Sequence, residues 1–253
     1  MRNKLVVLVF ILVLVFQFVD LKIFDDRFLN ESAESIIVGY AASILILFLI
    51  RKDEALYRTE RLNGKIITLL PCFLIVINNF PFLSLIKGDA QFVKPWHYGI
   101  ILLVDCFGVA MFEEFVFRGI LLPAVHGSLK RGPFRSFLAV LIQAAIFGGM
   151  HFFNLLAGAS FPIVLMQVGY TFLLGGMFAI ALLISGNIWV SVSLHFLFNF
   201  TGLLLPTMGE GDWPDQATIV ITIILSVLAA AYLMALLLKL SKTMHEEETT
   251  DLS

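Results

Sequence analysis

Two adjacent carboxylates, Glu113 and Glu114, share with Arg118 a stretch that, Asp105 apart, is apolar from Ile100 to Leu122. An ionised side chain at bilayer depth costs about 3 kcal/mol or more, so a membrane helix that keeps three such groups points to a function for them. At 100° per residue, Glu114 and Arg118 lie about 40° apart, acid before base, the favourable order for an i,i+4 ion pair. Glu113 is about 140° from Arg118 and projects elsewhere. It is the carboxylate left for chemistry.

Two further segments carry groups that can complete a site. His151 follows Phe147 by one helical turn, so the phenyl ring can wall one side of the imidazole. His195 and Asn199 are also one turn apart, and both can donate a hydrogen bond toward one point. A carboxylate, two imidazoles and an amide converging in an apolar cavity have the makings of a water-activating centre, because burial tunes a carboxylate toward general-base strength. The competing reading is that each group is interhelical hydrogen-bond glue and that Glu114 and Arg118 form a structural bridge. Six polar groups on three segments favour the chemical reading. His97 and His126 fall near the ends of apolar segments and need no such role.

The elements that position these residues are membrane helices. Apolar residues make up 59% of the 253-residue chain and the mean hydropathy is +0.94. That is a polytopic membrane composition, with room for about eight spans of about 20 residues and no separate soluble domain. The expected fold class is therefore all-α, a single helical bundle covering residues 1–253. Apolar windows place spans near 4–20, 34–50, 66–86, 97–117, 136–156, 161–184, 188–205 and 217–238. Residues 241–253, ending in the acidic run from Glu246, read as a solvated tail. No strand pattern, internal repeat or phosphate-binding glycine loop is present.

Eight spans put both termini on one side of the membrane. On that side the terminal segments and alternate connections carry twelve of the seventeen basic residues: Arg2, Lys4, Arg51, Lys52, Arg58, Arg61, Lys65, Lys130, Arg131, Arg135, Lys239 and Lys242. Lys22, Arg27, Lys87 and Lys94 fall on the other side, and Arg118 completes the set. The positive-inside bias makes both termini cytoplasmic. A net charge of −2 gives no reason to expect a nucleic-acid partner. The basic start, Met-Arg-Asn-Lys, precedes an apolar run with no small-residue cleavage site, which reads as a retained first helix. Short loops and the absence of a targeting peptide suggest a prokaryotic plasma membrane.

Other residues read as packing. Cys72 and Cys106 are small core residues, not a disulfide framework. Ala144, Ala145, Gly148 and Gly149 suit close helix contact, as Gly175 and Gly176 do. Asn78, Asn79, Gln143 and Gln167 are expected to hydrogen-bond between helices. Asp105, two turns before Glu113, is placed to line the same cavity.

The three motifs, Glu113-Glu-Phe-Val-Phe-Arg118, Phe147-Gly-Gly-Met-His151 and His195-Phe-Leu-Phe-Asn199, resemble those of the CPBP family of intramembrane proteases. That family includes the CAAX-prenyl endopeptidases and the Abi-type bacteriocin-immunity proteins. Each motif is weak alone; together, across the motif core 113–199, they are specific. The resemblance implies an eight-helix bundle that hydrolyses a peptide or membrane-protein substrate in or beside the bilayer. It implies that Glu113 activates a water with help from His151, that His195 and Asn199 stabilise the oxyanion, and that Glu114 and Arg118 hold the geometry. It also bears on metal. Glu113, His151 and His195 are one conceivable zinc set, but no His-Glu-x-x-His helix is present and asparagine is a poor zinc ligand. Likeness to metal-independent glutamate proteases favours no cofactor. A non-catalytic immunity or regulatory protein that binds a membrane partner is the alternative, and a proton-coupled transporter is a third.

One detail of depth stays open. Glu113 lies roughly 24 Å into a span beginning near His97, and His151 about as far into a span running the opposite way. Either the fourth helix continues through Val125, or the fifth starts nearer Arg131 and tilts.

Overall fold

The structure is a computed structural model that describes residues 22–50, 66–211 and 216–250, with a few isolated positions besides. The expected first span, 4–20, and the basic connection 51–65 lie outside the described residues.

In chain order the elements are α1 (Arg27–Ile50), a 3-10 turn (Ile66–Leu69), α2 (Leu70–Asn78), α3 (Phe82–Lys87), β1 (Ala90–Phe92), α4 (Trp96–Glu114), a π-helical segment (Phe115–Leu121), α5 (Leu122–Ser128), α6 (Arg135–Met150), a 3-10 turn (His151–Leu155), α7 (Phe161–Ser185), α8 (Ile188–Met208), β2 (Gly209–Gly211) and α9 (Gln216–Thr250). The described residues are almost entirely helical, as the apolar composition favours. Four helices among the described residues are long and apolar enough to cross a membrane: Arg135–Leu155, Phe161–Ser185, Ile188–Met208 and Gln216–Glu246.

Three expectations need correction. The span expected at 66–86 is not one helix, because α2 ends at Asn78 and α3 starts after Pro81. Proline lacks the N–H that a continuing helix needs, and it pushes the residue before it out of the helical region. The span expected at 97–117 does not stop there. Helix runs from Trp96 to Ser128, with a widened π segment at Phe115–Leu121. Pro123 follows at the start of α5, where its ring cannot fit an ordinary i→i−4 ladder, and the turn before it opens to make room. The expected solvated tail, 241–253, is described only as far as Thr250. Helix α9 continues to Thr250, and Ser241, which is buried, accepts a hydrogen bond from the Phe137 backbone N–H at 3.2 Å. Finally, a short antiparallel ladder pairs Ala90 with Gly211 and Phe92 with Gly209. Three residues per strand give too little alternation to read from sequence.

The long helix settles the depth question in favour of the first alternative. Measured from the 129–134 connection, Glu113 lies roughly 22 Å along α5 and the π segment, and His151 roughly 24 Å along α6. The two groups are level.

Packing is organised around this pair. Helices α4 and α8 run together along most of their length, α6 and α7 form an antiparallel hairpin, and α1 lies on the outer side of α4. Gly148 on α6 lets the hairpin close: a Cβ there would sit 2.8 Å from the Val168 carbonyl oxygen and 3.1 Å from the Phe172 nitrogen. Gly149 and Gly176 meet nothing within 4 Å, and Ala145 is exposed, so only part of the expected small-residue contact forms. The turn from α7 to α8 uses Gly186 at φ 65, followed by Asn187, whose side chain caps α8 by accepting from the Trp189 N–H at 2.9 Å. Cys72 and Cys106 are buried free thiols.

Candidate functional site

The site forms where α4 passes into the π segment, opposite the last turn of α6, the middle of α7 and the first turns of α8. Glu114 and Arg118 pair as their spacing predicts, with Arg118 Nη1 donating to Glu114 Oε1 at 2.9 Å and both side chains fully enclosed. The guanidinium is held from two more sides. Its Nη2 donates to the Gly175 carbonyl at 3.0 Å, and its plane lies 4.5 Å from the Phe147 ring centre and 5.5 Å from that of Phe178. Aromatic faces stabilise the buried cation that the carboxylate neutralises.

The pair is also more than a bridge. Glu114 Oε1 lies 2.8 Å from His195 Nδ1, so the same oxygen that meets Arg118 fixes the imidazole. The other nitrogen, Nε2, faces Glu113 Oε2 at 3.7 Å. His195 thus stands between two carboxylates, one wholly buried and one whose side chain is 26% exposed. Phe178 stacks on the ring at 4.9 Å, and Phe147 meets it edge-on at 6.0 Å. With one face stacked on Phe178 and Nδ1 committed to Glu114, the ring has Nε2 to present to a ligand.

Phe147 is the hinge of the whole arrangement. One ring touches Arg118, His195, Phe117 at 4.8 Å and His151 at 5.8 Å. Gly175 makes this possible, since a Cβ there would fall 2.9 Å from Phe147 Cδ1. His151 caps α6 at its change to a 3-10 turn and interacts electrostatically with Glu113 and His195. Asn199 is half-buried one turn beyond His195 on α8.

The structure therefore gathers Glu113, Glu114, Arg118, His151 and His195 about one centre, with Asn199 next along α8. It does not bring Asp105 there. Asp105 accepts a hydrogen bond from Ser32 Oγ on α1 at 3.2 Å, so it faces outward from the site. Of the four expected hydrogen-bonding amides, Asn78 donates to Thr222 on α9 at 2.7 Å and Asn79 to the Phe198 carbonyl on α8 at 2.7 Å. Gln167 accepts from Asn154 at 2.8 Å. Gln143 is fully buried, yet neither amide atom has a partner among the described residues. Sequence reasoning missed the bond from Glu114 to His195, because residues so far apart along the chain give no local signal. It also missed Tyr170 of α7, which interacts electrostatically with Glu113.

No group of three or more His, Cys, Asp or Glu among the described residues is arranged to hold a metal ion.

No curated protein and no solved structure is significantly similar to the chain. Residues 95–201, which contain every group described above from Glu113 to Asn199, match the family model described as type II CAAX prenyl endopeptidase Rce1-like. The chain is an integral membrane protein, and this segment, less than half of its length, is similar to the Rce1-like CAAX prenyl endopeptidases.

Proposed function

We propose that the chain is an intramembrane endopeptidase in which Glu113 activates the hydrolytic water. The observation that carries this reading is the position of His195, held at Nδ1 by a buried carboxylate at 2.8 Å while Nε2 points toward a second, accessible one at 3.7 Å. Two carboxylates in one membrane site then have separate duties. Glu114 orients the imidazole and offsets its charge when both nitrogens are protonated. Glu113 remains open to water and substrate.

In this reading Glu113 accepts the proton of a water as the oxygen attacks the scissile carbonyl, with His151 beside it to hold that water. Nε2–H of His195 and the amide of Asn199 donate to the oxyanion of the tetrahedral intermediate. The proton taken by Glu113 is then passed to the leaving amine. Positioned donors of this kind are worth about 3 kcal/mol each, and a general base about 10²–10⁴-fold. Every step uses only side chains of this chain, so no cofactor is invoked. The substrate class is the peptide of a membrane-tethered protein with a CAAX-type C-terminus, on the strength of the family match.

The test is cleavage of a farnesylated CAAX reporter peptide by the purified protein in nanodiscs, in the presence of a zinc chelator. Wild-type protein is expected to cleave it, and Glu113→Gln to lose about 10³-fold or more in kcat. Full activity in Glu113→Gln, at wild-type expression and thermal stability, would overturn the assignment.

A further inference from the structure

Seven enclosed side-chain polar atoms lack a hydrogen-bond partner among the described residues, and four of them fall in one part of the bundle: Glu114 Oε2, Arg118 Nε and both amide atoms of Gln143. Gln143 is 0% exposed, and the roles above do not use it. A buried amide left unpaired is destabilising, and a methionine of nearly the same shape would carry no such penalty. Its presence in the core of α6 points to something that pairs it.

Contacts on either side of Gln143 show what it faces. Two turns before it, Ser136 Oγ meets His126 Nε2 at 3.2 Å. One turn after it, the Phe147 ring meets that of Phe117 at 4.8 Å. Helix α6 therefore runs antiparallel to the helix that continues from the π segment into α5. Ser136 and Phe147 lie within about 40° of Gln143 round α6, so all three are turned to that helix. Between the two contacts, Gln143 falls level with the second half of the π segment, which carries Arg118.

The Arg118 head group lies in the same seam. It stacks 4.5 Å over Phe147, and a Cβ placed on Gly175 would be 3.4 Å from Arg118 Nη2 and 3.4 Å from the Cα of Ala144, the neighbour of Gln143. Nη1 and Nη2 are engaged by Glu114 and the Gly175 carbonyl, which leaves Nε. The four atoms are also balanced in kind. Arg118 Nε and Gln143 Nε2 are donors, while Glu114 Oε2 and Gln143 Oε1 are acceptors. Water, with two O–H groups and two lone pairs, serves both kinds, and internal water typically makes about three hydrogen bonds to groups that the protein leaves unpaired.

We propose that the seam between α6 and the π segment is a site for bound water, which accepts from Arg118 Nε–H and donates to Gln143 Oε1, and that Gln143 is thereby a positioning residue. Arg118 holds Glu114 at 2.9 Å, and Glu114 holds His195 Nδ1 at 2.8 Å. The water fixes the remaining side of the guanidinium on which that chain rests. The consequence for turnover rests on the peptidase reading above; the water site does not.

Two measurements test the proposal. Water-edited solid-state NMR of the isotope-labelled protein in lipid bilayers follows magnetisation from water to side-chain N–H groups. Fast transfer to Arg118 Nε and Gln143 Nε2 is expected in wild type, and its loss at Arg118 Nε in Gln143→Met. No transfer to Arg118 Nε in wild type would overturn the water site, whatever the protein's activity. The second measurement is the sign of the thermal shift. Gln143→Met is expected to lower the thermal midpoint and to reduce kcat on the farnesylated CAAX reporter about fivefold at unchanged KM, the kinetic equivalent of one neutral hydrogen bond. A raised midpoint with unchanged kcat is what an amide without a ligand predicts, and it would overturn the positioning role. Should wild type and Glu113→Gln both fail to cleave, the peptidase reading falls, and the spectra alone decide the water site.

Discussion

At the scale of residues, the two adjacent glutamates are the clearest case of neighbours in sequence placed in different worlds. The i,i+4 spacing to Arg118 was enough to tell them apart, because a helix fixes which of two successive side chains can reach a partner four residues on. What the spacing could not show is that Glu114 also holds His195, a contact across 81 positions of sequence. Glu114 is thereby a structural keystone whose loss strands a cation. Removing one partner of a buried ion pair costs about 3–5 kcal/mol, since the remaining charge has lost its compensation. Glu114→Gln is accordingly expected to lower the thermal midpoint of the detergent-solubilised protein sharply, whereas Glu113→Gln, at a partly exposed position, leaves it close to wild type. Equal midpoints for the two variants would contradict this division of roles. Asp105 shows the limit of the same reasoning. Helical angle placed it near the site, but angle alone does not say which neighbour a face meets, and the neighbour is α1.

At the scale of elements, the motif helix was legible in kind and wrong in extent. Hydropathy ended it near residue 117, because charges at Glu113, Glu114 and Arg118 dilute the apolar signal where the helix continues. The π segment at Phe115–Leu121 was invisible for a different reason: a widened turn changes the hydrogen-bond register without changing composition. Glycines behave similarly. Sequence grouped Gly175 with Gly176, yet only the first meets a neighbour. A methyl group at Gly175 would press on Phe147 Cδ1 at 2.9 Å and reach Arg118 Nη2 at 3.4 Å, while one at Gly176 meets nothing within 4 Å. Gly175→Ala should therefore cost about 1–3 kcal/mol in stability and reduce reporter cleavage, because the displaced ring walls His195, His151 and Arg118 together. Gly176→Ala should be neutral or slightly stabilising, since it removes a flexible residue from a helix interior. Thermal midpoints and turnover of the two variants, measured side by side, check both statements, and equal effects would show that the ring does not depend on Gly175.

At the scale of the molecule, the described charges outside the site and Asp105 collect mainly at two ends of the bundle. Lys130, Arg131 and Arg135 lie at the start of α6, and the last turns of α9, bearing Lys239 and Lys242, dock beside them through the Ser241 and Met244 contacts. At the opposite end, Lys94 lies 4.8 Å over the Tyr98 ring, and Tyr98 donates to Asp26 at 2.8 Å, tying the start of α1 to the start of α4. That bond, with the nearby Lys94 charge, holds the Asp26 carboxyl below its ordinary range. The positive-inside bias predicts that the first end, with the α6 start, faces the cytoplasm. The two native cysteines are buried within the bundle and should stay silent to bulky thiol reagents, so single added cysteines can report sidedness against a low background. A membrane-impermeant maleimide is expected to label Asp89→Cys in intact cells, and Lys130→Cys only once the membrane is permeabilised. The reverse pattern would invert the bundle. It would also move the site's relation to its substrate: with Glu113 roughly 22 Å from the 129–134 end, a cytoplasmic C-terminus reaches it only by running up between the helices, and sidedness decides which face that path starts from.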